Sequence, residues 1–132
     1  MAHDPHNLSE SMVGFLRDRH LASLTILRPN GTPHVTPVGF TWDPATATAR
    51  VITWAGARKV HLLEATGGGR AVLCQVDGGR WVTLEGWATV TADPRQCAHA
   101  VARYAERYRP PKDRGADRRA ILISVDSVLG RA

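Results

Sequence analysis

The dipeptide Asn30-Gly31 lies between two runs rich in β-branched and aromatic residues, Leu21 to Arg28 and Thr32 to Trp42. Asn-Gly favours the positive φ angles of a tight hairpin turn, so the two runs are expected to pair as antiparallel strands. The pattern repeats. Asp43-Pro44-Ala45-Thr46 is a turn leading into a third strand, Thr48 to Trp54, and Asp77-Gly78-Gly79 joins Ala71–Val76 to Trp81–Thr91. Ala120 to Val128, with Ile121, Ile123 and Val125, supplies a sixth strand. Hairpin-linked strands of this kind point to a barrel or sandwich, because closing or stacking the sheet protects its edges.

Helical signals punctuate the strands. Ser9 can cap a first helix carrying Met12, Phe15, Leu16 and Arg19 and ending near His20, with Leu8 placed to staple onto Val13. Gly56-Ala57-Arg58-Lys59 opens a second, short helix through Val60, Leu63 and Glu64, which Gly67-Gly68-Gly69 stops. Asp93-Pro94-Arg95-Gln96 has capping-box spacing with Pro at the first helical position. The helix it begins places Cys97, Val101, Tyr104, Ala105 and Tyr108 on one face, and Pro110-Pro111 ends it. The expected organisation is one domain over residues 1–132.

The chain is 43% hydrophobic and 22% charged, which fits a globular protein and not a disordered one. No apolar run approaches the roughly 20 residues a membrane span needs, and the N-terminus lacks the basic-then-apolar layout of a signal peptide. The expectation is a cytoplasmic protein without a membrane partner. Cys74 and Cys97 form neither a disulfide framework nor a CxxC pair and are expected to pack as small apolar groups. The net charge of +5 favours an anionic partner. The basic residues are not interleaved with exposed aromatics as nucleic-acid motifs require, so no nucleic-acid partner is expected.

Hydrolytic and metal signatures are absent. His3, His6, His20, His34, His61 and His99 are scattered, with no HExxH and no GxSxG elbow. No metal site is expected, and no catalytic acid, base or nucleophile can be named. Gly67-Gly68-Gly69 follows a helix and precedes a strand, the reverse of a phosphate-cradling loop. The informative group is Thr32 to Phe40 together with Ile52 to Lys59. Pro33 and Pro37 remove two backbone donors from one strand, which must then sit at an edge or leave groups free for a ligand. Gly56 leads Arg58 and Lys59 to an exposed helix start, where free amides and the helix dipole attract anions. This is either a phosphate grip or an edge strand beside a solvated helix end. From Arg103 to Arg119, seven cations face three acids. That segment reads equally as a basic flap over an anion or as a solvated linker.

The ordered series Phe15-Leu16, His20-Leu21-Ala22, Pro33-His34-Val35, Asp43, Arg50-Val51-Ile52-Thr53, Lys59, Val76-Asp77-Gly78, Arg80-Trp81, Leu84-Glu85-Gly86, Arg103-Tyr104-Ala105, Arg107-Tyr108-Arg109 and Val128-Leu129-Gly130 closely resembles the flavin/deazaflavin oxidoreductases of the pyridoxamine 5'-phosphate oxidase-like superfamily. Within them it is most similar to the actinobacterial biliverdin reductases that use the deazaflavin coenzyme F-420. The resemblance spans nearly the whole chain. It implies a mainly β, split β-barrel fold with short helices (α+β, FMN-binding type) that forms a homodimer with two cofactor sites between subunits.

By position, the resemblance places Pro33, His34, Val35, Thr36, Pro37 and Val38 beside the deazaflavin ring. It places Thr53, Gly56, Ala57, Arg58 and Lys59 around the phosphate-bearing tail. Arg80 and Trp81 would approach from the neighbouring subunit. Lys59 is where the family motif and the charge argument meet. The chain departs from the pattern at Leu62, where many members carry a polar residue, and at Trp54, where a smaller one is common. The implied activity is hydride transfer from coenzyme F-420 to a conjugated small-molecule acceptor such as biliverdin, with the cofactor supplying the reactivity. FMN in a pyridoxamine phosphate oxidase-like flavoprotein is the alternative, and a non-catalytic cofactor- or tetrapyrrole-binding module is another.

Overall fold

A computed structural model describes residues 2–132. Its elements are β1 (Ala2–His3), α1 (Glu10–Arg17), β2 (Ala22–Leu27), β3 (Pro33–Val38), β4 (Thr41–Asp43), β5 (Thr48–Trp54), α2 (Arg58–Ala65), β6 (Gly69–Asp77), β7 (Arg80–Thr91), α3 (Pro94–Arg107) and β8 (Arg118–Arg131), with a 3-10 turn at Gly115–Asp117 before β8. The strands form one antiparallel sheet in the order β3-β2-β6-β7-β8-β5-β4, and β1 pairs with β8. The two ends, β3 and β4, are not hydrogen-bonded to each other. The sheet curls around its core and stays split, the mainly β split-barrel class the sequence implies. No helix among the described residues is long and apolar enough to cross a membrane.

Alternation along each strand sorts the side chains. Leu24, Val51, Leu73, Leu84, Ile121 and Ile123 are buried and meet Met12, Phe15 and Leu16 from α1. On α3, Cys97 and Ala100 cover Ala120, Ile52 and Leu122 on the outside of β5 and β8. Cys74 is the exception to the expected core cysteines: it is half-buried and lines a depression on the outer face with Leu21, Val35 and Val76.

Four local expectations change. Asn30-Gly31 is not a two-residue turn. Arg28 N–H donates to Thr32 O and Gly31 N–H to Arg28 O, so the loop has three residues and only Gly31 has positive φ. Asn30 instead accepts from Thr32 N–H through Oδ1, an Asx turn that needs no left-handed backbone. The run Thr32 to Trp42 is two strands, because β3 ends at Val38 and β4 crosses to the opposite edge. The break lies at Gly39-Phe40. A Cβ on Gly39 would lie 2.9 Å from the Tyr104 ring. Phe40 N–H donates to Tyr108 Oη at 3.1 Å and Phe40 O accepts from Arg107 Nη1 at 2.6 Å. In α1, Ser9 caps Met12 N–H as expected, yet the helix stops at Arg17 and Arg19 lies beyond it. The Asp93 cap is half a capping box: Asp93 accepts from Gln96 N–H, but Asp93 N–H donates to Thr91 Oγ1.

Arg107 joins distant parts of this architecture. Its Nε donates to Asp18 O at 2.9 Å, its Nη1 to Phe40 O, and its Nη2 to Gln75 Oε1 at 2.6 Å. Gln75 is fully buried and donates to Phe15 O at 2.9 Å. Replacing Arg107 by Met keeps the stem and removes all three donors, leaving buried acceptors unpaired. We expect a loss of about 3 kcal/mol, a drop in melting temperature of roughly 10 °C by calorimetry. An unchanged melting temperature would show that water replaces the guanidinium.

Candidate functional site

Position along β3 decides what its open edge offers. Arg28 and Thr32 form a hydrogen-bonded closing pair, and pairing alternates from there through Ile26/His34, Leu24/Thr36 and Ala22/Val38. Pro33, Val35 and Pro37 therefore turn their backbone groups away from β2, so neither proline costs a ladder bond. Facing this region, β5 ends at Trp54 and α2 begins at Arg58. The α2 N-cap, Ala57, has no side-chain cap, which leaves first-turn amides available.

A cleft of about 300 Å³ lies there, lined by Pro37, Val38, Gly39, Ile52, Thr53, Trp54, Lys59 and Tyr104 and by Lys112, Arg114 and Arg118 from the connection to β8. Its lining includes four cations and no carboxylate. Arg118 Nη1 donates to Thr53 O at 3.2 Å and Nη2 to Lys112 O, while Ala55 N–H donates to Asp117 O at 2.8 Å. The C-terminal end of the basic segment is thus tied to β5, and its cations wall the cleft there. The Arg114 guanidinium lies 4.5 Å above the Trp54 ring and Lys59 Nζ lies 6.0 Å from it.

Lys59 was expected at an exposed helix start but is half-buried, and burial pulls its ammonium pKa below the ordinary value. The His34 pKa is also lowered, by burial first and then by Arg28, Lys59 and Arg58. Both causes favour the neutral imidazole. Buried polar atoms without partners gather along this side: His34 Nδ1, Thr36 Oγ1 and Thr53 Oγ1. Thr53 is 1% exposed yet lines the cleft. Such groups are costly unless something accepts or donates to them. The donor set, cationic and hydroxylic over an apolar floor, fits a planar cofactor with an anionic arm.

Of the expected cofactor residues, Pro37, Val38, Thr53 and Lys59 meet in the cleft, and His34 lies within its electrostatic reach. Thr36 is half-buried, Pro33, Gly56 and Arg58 are exposed, and Ala57 is buried as the α2 cap. Val35 points to the outer face, where it is 55% exposed. Arg80 and Trp81 do not line the cleft of their own chain. Arg80 pairs with Asp77 at 2.8 Å and stacks 4.5 Å from the Phe15 ring. Among the described residues no group of three or more His, Cys, Asp or Glu side chains could hold a metal ion.

The sequence pattern of pyridoxamine 5'-phosphate oxidase matches residues 8–131. The chain belongs to the pyridoxamine 5'-phosphate oxidase family. A relative in this family, a coenzyme F-420(H2)-dependent biliverdin reductase of Mycobacterium tuberculosis (strain CDC 1551 / Oshkosh), is 46% identical over 133 residues, covering 100% of this chain and 94% of the relative. Among solved structures, an F-420 reductase superposes with TM-score 0.73 at 23% identity over 92% of this chain and 98% of the other. HupZ from Group A Streptococcus superposes with TM-score 0.73 at 14% identity over 94% of each chain. At these identities the structural matches establish the shared split barrel alone.

Lys112, Arg114 and Arg118 line the cleft of this family member; the sequence offered their run as a flap over an anion or a linker without naming them as cofactor residues. Their charge was visible as the basic run; the backbone bonds that hold the run against β5 were not. Trp54 was noticed only as a departure from the family pattern, and it is the surface on which Arg114 rests.

Proposed function

We propose that the protein is a coenzyme F-420-dependent reductase that transfers a hydride to a conjugated small-molecule acceptor, with biliverdin the first acceptor to test. The observation that carries this reading is the cleft at Lys59, where four cations converge without a carboxylate. The 46% identical relative, a coenzyme F-420(H2)-dependent biliverdin reductase, supports the choice of cofactor and acceptor. A bound deazaflavin supplies the hydride. The protein's own residues bind and orient. Lys59, Arg114 and Arg118 hold an anionic arm, Thr53 offers its unpartnered hydroxyl, and Pro37 and Val38 give an apolar wall. Neutral His34 offers one ring nitrogen without placing a charge beside the reacting centre.

We also infer that two chains pair through the outer face of β2, β3 and β6, where Leu21, Val35 and Val76 are 63%, 55% and 61% exposed. Apolar side chains clustered in one depression call for cover. Arg80 and Trp81 then serve the partner's site. The cytoplasm is the proposed location.

Side-by-side titration with coenzyme F-420 and FMN tests the reading. The deazaflavin is expected to bind more tightly, and added salt to weaken it, because the contacts are between cations and an anion. Lys59→Ala is expected to reduce affinity roughly tenfold to a hundredfold, the value of one charge-assisted hydrogen bond, while the fold survives. Arg58→Ala is expected to be milder, since neighbouring helix residues point about 100° apart. Full affinity in Lys59→Ala would misplace the anion site. Tighter FMN binding, seen as yellow purified protein, would make it a flavoprotein. Absence of turnover with every conjugated acceptor would make it a binding module.

A further inference from the structure

A second cavity, of about 260 Å³, lies between α1, β4 and α3, and shares no residue with the Lys59 cleft. Thr41, Trp42 and Arg103 line it, and each carries a buried polar atom with no partner: Thr41 Oγ1, Trp42 Nε1 and Arg103 Nε. Thr41 and Trp42 are only 5% and 6% exposed. An indole N–H and a guanidinium Nε–H can only donate. Whatever satisfies them must accept.

Charge narrows the choice. Arg17, Arg103 and Arg107 line the cavity against the single carboxylate of Glu106. Arg107 is committed to Asp18 O, Phe40 O and Gln75, and Arg103 gives one Nη to Trp42 O at 2.9 Å. Arg17 has neither an ion pair nor a hydrogen bond from its side chain among the described residues. A water molecule could accept from Trp42, but it would leave the cationic surplus uncompensated. We propose that this cavity is a second anion site, which takes a small oxyanion of the phosphate, sulfate or short dicarboxylate class and clamps α1, β4 and α3 together. The inference is independent of the cofactor reading.

Four tryptophans give four indole N–H signals in a nitrogen-edited proton spectrum, and Trp42→Phe identifies the relevant one. Titration of the whole protein with inorganic phosphate, sulfate or succinate at constant ionic strength is expected to move the Trp42 signal saturably with at least one of them. The Trp54 signal reports the Lys59 cleft separately. Lys59→Ala is expected to leave the Trp42 titration unchanged. Arg17→Ala, an exposed position that should fold normally, is expected to weaken it about tenfold. Trp42→Phe should melt no lower than the parent in anion-free buffer, because it removes an unsatisfied donor and keeps a large ring. No saturable movement of the Trp42 signal with any of the three anions would overturn the proposal and leave a water-filled cavity. Movement abolished by Lys59→Ala would overturn it too, by tracing the effect to the cleft.

Discussion

A Gly86→Ala protein is expected to lose its native fold or retain it only marginally. An added Cβ at this position would lie 2.0 Å from Ser124 O, 2.6 Å from Ser124 C and 2.8 Å from Val125 Cα. These are backbone atoms of β8, so no side-chain rotation relieves the clash. The position coincides with the register shift where Glu85 pairs with Ser127 and Gly86 with Val125, which leaves Asp126 as the extra residue of a bulge. Moving β8 there disturbs strands that pair over most of their length. The cost should exceed about 3 kcal/mol, a large share of the roughly 5–15 kcal/mol by which domains are stable. Gly14→Ala makes the contrast: nothing lies within 4 Å of its Cβ and it sits inside α1. It should stabilise by about 0.5–1 kcal/mol. Urea unfolding followed by far-UV circular dichroism measures both. Equal midpoints for Gly86→Ala and the parent would mean that β8 yields at the bulge without penalty.

The second large effect is expected from Val76→Asp on the outer face. In the proposed dimer a carboxylate there would be desolvated against the facing chain, and two-fold symmetry would present it twice. A penalty of about 3 kcal/mol or more raises the dimer dissociation constant by at least roughly a hundredfold. Sedimentation at micromolar concentration should show a monomer with an unchanged circular dichroism spectrum. If Arg80 and Trp81 complete the partner's site, the monomer should also lose more than about tenfold in cofactor affinity. A variant that stays dimeric would relocate the interface; a monomer that binds cofactor normally would mean that one chain builds the whole site.

The parts of this molecule that rest on local chemistry were legible in its residues. Ser9 and Asp93 cap helices where their spacing places them. The start of α2 at Arg58 and Lys59 was legible for the same reason, since Gly56 just before a helical run needs nothing distant to explain it. The break at Gly39-Phe40 was not, because its causes, Tyr104, Arg107 and Tyr108, arrive more than sixty residues later in the chain. The choice between the two readings of the basic run stayed open for a related reason: charge is written in the side chains, but the segment's position is set by backbone bonds such as Ala55 N–H to Asp117 O. Lys59 is half-buried, with its Nζ 6.0 Å from the Trp54 ring, five residues earlier across a turn.

The split in the barrel carries a consequence for behaviour at high concentration. An open sheet edge is a template onto which strands of other chains can zip, the first step toward fibrils. On β3 the positions that face outward are Pro33, Val35 and Pro37, so a single amide proton is offered where three would otherwise stand. At the other end, β4 is three residues long and α3 arginines occupy the carbonyls of Phe40 and Trp42. An incoming strand therefore finds no continuous ladder on either side. The groove can stay open to a small molecule without seeding polymerisation.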